Sequence, residues 1–105
     1  MRLARVMGHV VLNQRLDELP RGSLLLCEAL DAPGVCHIDR EQRRAEPMDS
    51  SLVALDELGA GIGSIVAVAE GREAAMPWWP EHRPVDSYCV AIIDTLHVKP
   101  ELTSD

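Results

Sequence analysis

The sequence predicts a mainly β domain that closes into a small barrel of five or six strands, with at most one or two short helices. Its apolar residues fall in short runs rich in Val, Leu and Ile, separated by Gly, Pro, Asp and Asn, which is the pattern of strands joined by turns. The chain has 105 residues, enough for one small domain. The last run, residues 87–98, is apolar on both faces through its middle. Closing the sheet covers one face, and a partner subunit is needed to cover the other.

The first half of the chain alternates between strands and turn signals. Small or apolar residues occupy every even position from 4 to 12, which indicates a strand with one core face. The predicted elements are a strand over 3–12, a loop over 13–22, a strand over 23–30, a turn over 31–34 and a short strand over 35–38. The stretch 39–50 carries nearly balanced charges and is broken by Pro47, so we interpret it as a solvated surface excursion in preference to a binding site.

The second half has the same character. Its predicted elements are strands over 52–55 and 64–69, a turn with a short helix over 70–76, an irregular segment over 77–84 and a last strand over 87–98. Three prolines within 77–84 remove backbone donors and fix φ, which excludes regular structure there. We expect a single barrel domain over 1–98, followed by a polar tail over 99–105.

Composition excludes several classes of function. The net charge is −7, from 17 acidic and 10 basic residues, which argues against a nucleic-acid or anionic-membrane partner. No apolar run approaches the roughly 20 residues of a membrane span. The N-terminus lacks the pattern of a signal peptide, so we expect a cytoplasmic protein whose three cysteines are reduced thiols.

Glycines alternate in the stretch 56–64, at Gly59, Gly61 and Gly63. A phosphate-binding loop would have to open into a helix, whereas Ser64 begins a strand-like run and no Lys follows. We therefore interpret the stretch as a tight and crowded connection between two strands, in which glycine allows a positive φ or a close backbone approach.

The residues that could carry chemistry form no recognisable centre. Cys36 and His37 are adjacent and would point to opposite faces of a strand, and no Cys-x-x-Cys spacing is present. Cys27 and Cys89 lie in apolar strands and are expected to be inert core thiols. Asp94 interrupts an apolar face, so we expect a structural carboxylate that is bonded by backbone amides. We predict no catalytic residue, cofactor or metal.

Two pairs of neighbours are candidates for contacts. Ile92 and Ile93 must point to opposite faces of the last strand, one toward the core and the other toward a neighbouring subunit, and the sequence does not say which. Trp78 and Trp79 lie in the proline-bounded segment. Either one ring caps the barrel end, or at least one is exposed and anchors a partner.

Four segments, taken in order, resemble the bacterial microcompartment vertex proteins of the EutN/CcmL family. They are residues 1–11, 23–26, 53–63 and 83–94, and the glycine stretch together with the segment 83–94 is the most specific part. The resemblance implies an OB-like barrel that assembles as a homopentamer at the vertices of a carboxysome-like or metabolosome shell, whose facets are hexameric shell proteins. It implies no catalytic residue. The residues then expected at a subunit interface or the five-fold axis are Gly59, Ala60, Gly61, Ile62, Gly63, Ser64, Ile92 and Ile93.

The chain departs from the family pattern at Ser64, where a Glu is usual, at 72–75, where a run of small residues is usual, and in the longer excursion 39–50. The alternative is a free-standing OB-like module that binds a ligand or nucleic acid. That reading is disfavoured, because such surfaces use aromatic platforms and basic grooves, whereas this acidic chain has two Trp, one Tyr and no Phe. A small hydrolase or thiol enzyme ranks lower, since no nucleophile is paired with a base.

Overall fold

A computed structural model describes residues 1–30 and 51–97, and its five strands close into a barrel in the order β1-β2-β3-β5-β4. The strands are β1 (Arg2–Val10), β2 (Ser23–Ala29), β3 (Ser51–Asp56), β4 (Ile65–Glu70) and β5 (Ser87–Ile92). A four-residue helix, α1 (Arg72–Ala75), and a 3-10 turn (Met76–Trp78) connect β4 to β5. The predicted mainly β closed barrel is confirmed.

Neighbouring strands pair antiparallel, except for β3 and β5, which run parallel and share the single pair Leu55–Tyr88. A bulge interrupts the pairing of β1 with β2, because Val6 lies opposite Cys27 while Gly8 lies opposite Leu26. The extra residue bends the strand and increases its twist, as closing so small a barrel requires.

The interior of the barrel is built from small and β-branched side chains. The inward faces carry Val, Leu, Ala and Cys, in keeping with a chain that has no Phe. The buried cluster comprises Ala4, Val6, Leu25, Cys27, Ala54, Ala60, Val66, Val68 and Cys89. Burial of Cys27 and Cys89, both free thiols, agrees with their prediction as core residues.

A second apolar cluster lies outside the barrel, over the parallel contact between β3 and β5. Ala74 of α1 packs there with Leu55 and Val85, and the Trp78 ring meets the Tyr88 ring edge to face with centroids 5.0 Å apart. The segment that joins β4 to β5 therefore covers part of the outer face with the chain's own side chains. Helical cover of this kind suits a parallel pair, which is rarely left facing water.

The structure shortens two of the predicted strands. β1 ends at Val10 and not at residue 12, and Val11 and Leu12 are exposed. β5 ends at Ile92 and not at 98, although the Ile93 N–H still donates to the carbonyl of Ile65 at 2.8 Å. Apolar alternation continues past both ends, but the partner strands do not, because β2 begins only at Ser23 and β4 only at Ile65. The end of each strand is therefore set by where its partner strand stops and not by the alternation of apolar residues.

The remaining predictions fall partly beyond the described residues. The turn over 31–34, the strand over 35–38, the excursion 39–50 and the tail 99–105 all lie outside them. Within residues 1–30 and 51–97, no helix is long and apolar enough to cross a membrane.

Candidate functional site

The glycine loop, residues 57–64, joins β3 to β4 and is held at its first half by the carboxylate of Asp56. That side chain is only 2% exposed. It accepts backbone N–H groups from Leu58 at 3.1 Å and from Gly59 and Ala60 at 2.9 Å each. One buried side chain thus satisfies three consecutive donors, which fixes the path of the chain as it leaves β3.

The second half of the loop is a β-turn tied to β1. The Ser64 N–H donates to the carbonyl of Gly61 at 3.0 Å, and Gly63 has φ +92°, which is the requirement of the third position of a type II turn. Gly63 N–H donates to the Val6 carbonyl at 2.8 Å, and Val6 N–H to the Ser64 carbonyl at 2.9 Å. Ile62, at the tip, is 67% exposed. The loop therefore presents an apolar side chain on a rigid support.

The individual residues of the loop have different roles. Gly59 shares the φ of +92°, whereas Gly61 does not have a positive φ, and a Cβ at Gly61 would meet nothing within 4 Å. The expectation of crowding is thus not met at Gly61 within one subunit. Ala60 is buried in the barrel core, which corrects its assignment to a subunit surface. The Ser64 hydroxyl accepts the Gly61 N–H at 3.3 Å, so this departure from the family pattern closes the turn internally.

The electrostatics around Asp56 favour its charged form. Burial acts to raise its pKa, but the N–H groups of the loop and the neighbouring Cys89 thiol outweigh that effect and hold the pKa below its ordinary value. Burial first, and then the nearby carboxylate, raise the pKa of Cys89 to about 12 and that of Cys27 to about 11. Both thiols therefore stay protonated and unreactive at neutral pH.

A further contact ties the loop to β5. The Tyr88 hydroxyl donates to the Glu57 carboxylate at 2.6 Å, and this bond, with burial, raises the pKa of Tyr88 to about 12. The start of the loop is thereby fixed to β5 as well as to the end of β3.

The carboxylate that backbone amides hold is that of Asp56 and not that of Asp94, among the residues that the structure describes. Asp94 is exposed in the single subunit and lies beyond the end of β5, with a 3.5 Å contact from the Thr95 hydroxyl. Asp56 was given no role from the sequence, where it is only the first residue of the stretch 56–64. Its position, directly before the alternating glycines, was the available signal.

The two isoleucines of the closing segment are also distinguished. Ile92 is 44% exposed on the outer face of β5, beside the exposed Val90. Ile93 is half-buried and lies just past the strand.

The two tryptophans also differ in exposure. Trp78 packs in the outer cluster, whereas Trp79 is 59% exposed and contacts His82 edge to face at 5.9 Å.

No cluster of metal ligands accompanies this surface. Among the residues that the structure describes, no group of three or more His, Cys, Asp or Glu side chains is close enough to hold a metal ion.

Comparison with known proteins gives a consistent result. The family model described as ethanolamine utilisation protein EutN/carboxysome matches residues 1–94. The carboxysome shell vertex protein CcmL of Synechocystis is 36% identical over 93% of this chain and 87% of that protein. The shell vertex protein PduN of Salmonella typhimurium is 34% identical over 91% of this chain and 98% of that protein.

Solved structures agree with these relatives. The structure of Gloeobacter violaceus CcmL is 32% identical in sequence and superposes with a TM-score of 0.74. The match covers 93% of this chain and 90% of the CcmL chain. The GrpN pentameric microcompartment shell protein of Rhodospirillum rubrum is 29% identical, with coverage of 94% and 100% and a TM-score of 0.72. The barrel, the glycine loop and the match over nearly the whole length lead to one conclusion: this chain belongs to the EutN/CcmL family.

Proposed function

We propose that this chain forms a homopentamer that closes the vertices of a bacterial microcompartment shell, as a structural protein without catalytic activity. The observation that carries the proposal is the superposition on a pentameric shell protein over 94% of this chain and 100% of that one. The relatives are named as shell vertex proteins of carboxysomes and of other bacterial microcompartments.

The surface of the single subunit supports an oligomer on physical grounds. Ile62 at the tip of the glycine loop and Ile92 and Val90 on β5 expose large apolar side chains on rigid elements. Such residues gain free energy when a neighbour covers them, and a rigid support reduces the entropy that is lost on binding. We place the glycine loop, from Gly59 to Ser64 but without Ala60, at the subunit interface together with Ile92 and the adjoining Ile93. Gly61 fits that position, since no contact within the subunit requires a glycine there.

We assign a second contact to the exposed Trp79. Trp79 follows the 3-10 turn that contains the exposed Met76, and its backbone N–H donates to the Met76 carbonyl at 3.0 Å. This segment is separate in the chain from the glycine loop. Trp is favoured at the centre of interfaces because it covers a large apolar area and can donate a hydrogen bond. Trp79 is therefore our candidate for contact with the hexameric shell proteins that surround a vertex.

Native mass spectrometry of the purified chain tests the proposal. The expected species has five times the 11.5 kDa mass of the chain. A stable monomer, or a ring of another size, would contradict it. A monomer that also bound single-stranded DNA would support an OB-like binding module instead.

A further inference from the structure

A row of small and apolar residues crosses the outer face of β1, β2 and β3. Leu26 lies opposite Val53 in the pairing of β2 with β3, and Gly8 lies opposite Leu26 in the pairing of β1 with β2. Leu26 is 41% exposed and Val53 is 45% exposed. We name Gly8, Leu26 and Val53 the apolar row.

In the part of the chain that the structure describes, the residues next to this row are covered, whereas the row itself stays partly exposed. Leu24 and Leu55 lie two positions away from Leu26 and Val53 on the same strands. They pack in the outer cluster with Ala74 of α1 and Trp78. That cover stops before Leu26 and Val53. Within residues 1–30 and 51–97, the outer face of the barrel thus has a part that α1 and Trp78 cover and a part that stays exposed.

Gly8 lies at the bulge in β1, which is one place where a strand accommodates a glycine. Its φ does not lie in the left-handed region, and a Cβ built there would meet nothing within 4 Å. Glycine inside a strand weakens the strand, and it often marks a place where another backbone approaches closely. Among the described residues nothing lies within 4 Å of a Cβ built at Gly8, so the position has room for a second chain.

We propose that the apolar row is the receiving half of the subunit interface and that it takes the Val90 and Ile92 side chains of a second copy of this chain. The inference rests on the proposed homopentamer. A closed ring of five cannot use one self-complementary patch, so each subunit needs two different surfaces that fit each other.

The two surfaces meet that requirement. The row occupies β1, β2 and β3, whereas Ile92 lies on β5 and pairs with β4, which are the other two strands of the barrel. One subunit therefore presents its two apolar surfaces in different directions. The missing side chain at Gly8 leaves room for the neighbour's strand to approach the barrel wall.

Single substitutions test each half of the interface. Val53→Arg and Ile92→Arg place a charge on exposed positions, which the separated subunit tolerates. Each should yield a folded monomer by circular dichroism and native mass spectrometry, with the midpoint concentration for dissociation raised roughly a hundredfold or more, because a buried unpaired charge is costly at an interface. The matched control is Met76→Arg, since Met76 is 53% exposed but lies outside both surfaces. It should remain a pentamer.

Mixing the two variants tests whether the surfaces fit each other. Val53→Arg keeps an intact β5 face, and Ile92→Arg keeps an intact row, so one productive contact remains possible between the two chains. The mixture should form a dimer with one chain of each kind, which cannot grow further. Each variant alone should stay monomeric.

Gly8→Val gives a test that uses no charge. Because β-branched residues favour strands and the site is open, the separated subunit should melt at the same or a higher temperature, while the ring dissociates more readily. Pentamers that persist in both Val53→Arg and Gly8→Val would overturn the inference while leaving the proposed function intact. Failure of the mixed variants to associate would also overturn it. A wild-type monomer would instead remove the proposed function.

Discussion

Replacing Asp56 by Ala should destabilise the subunit strongly, because three backbone donors lose their acceptor at once. Hydrogen bonds to a charged acceptor contribute about 1.5–3 kcal/mol each. Leu58 and Gly59 are exposed, so water can replace the carboxylate at their N–H groups, whereas Ala60 is buried. The loss comes mainly from the hydrogen bond between the Ala60 N–H and the Asp56 carboxylate. We therefore expect the free energy of unfolding to fall by roughly 2–4 kcal/mol. A small domain has only about 5–15 kcal/mol in total.

Thermal unfolding followed by circular dichroism measures this effect. For a domain of this size, a change of 1 kcal/mol shifts the melting temperature by about 4–8 °C, so the expected fall is roughly 8–32 °C. Asp56→Asn should lie between Ala and the wild type, since one amide oxygen accepts fewer of the three donors. The control is Glu57→Gln, which can still accept the Tyr88 hydroxyl. An unchanged melting temperature in Asp56→Ala would refute the anchoring role of this carboxylate.

Acid should act through the same residue. The pKa of Asp56 lies below its ordinary value of 3.8, so its ionisation contributes stability that is fully present above that value. The contribution is lost as the pH falls below 3.8 and through the lowered pKa of the folded state. The difference in unfolding free energy between the wild type and Asp56→Asn should therefore narrow with acidification, as urea titrations at several pH values would reveal. A difference that stays constant down to strongly acidic pH contradicts the linkage.

Two further comparisons use neighbouring residues that the structure treats differently. Gly63→Val should destabilise the subunit by about 1–3 kcal/mol, because its φ of +92° strains a side chain, whereas Gly61→Val should leave subunit melting unchanged and weaken only the ring. Equal melting temperatures for the two variants would contradict this distinction. Trp78→Ala should lower subunit stability by about 2 kcal/mol through lost packing, while Trp79→Ala should keep both fold and pentamer and reduce binding to hexameric shell proteins in a pull-down. Full shell binding by Trp79→Ala would rule out its assignment as a partner contact.

The presence of the strands could be predicted from the sequence, because a pleated strand places successive side chains on opposite faces. The alternation in β1 and the short apolar runs around the glycines predicted β1, β3 and β4 to within two residues at each end. The bulge between Val6 and Gly8 was not predicted. It depends on how β1 must bend to pair with both β2 and β4, which is a property of the closed barrel.

The sequence marked the glycine loop but not how its residues are organised, and its place at a subunit interface stays a prediction. Alternating glycines marked the loop, and the apolar character of both faces of residues 87–98 indicated a neighbour. Burial separated the members afterwards. Ala60 lies in the core and Ile62 is exposed to solvent. The buried carboxylate that accepts backbone amides belongs to Asp56, whereas the sequence had indicated Asp94. A sequence gives the polarity of each side chain, whereas burial depends on strands that lie far apart in the chain.

By itself, the sequence determined the fold class, the acidic surface and the resemblance to the vertex protein family, because these follow from local periodicity, composition and short motifs. Only the tertiary structure decided which of the described side chains on the outer face are covered and which are exposed. α1 covers Leu55 and leaves Val53 exposed two residues away on the same strand. That division arises from the crossing of the segment between β4 and β5 over the barrel, a contact between distant parts of the chain that no local pattern encodes.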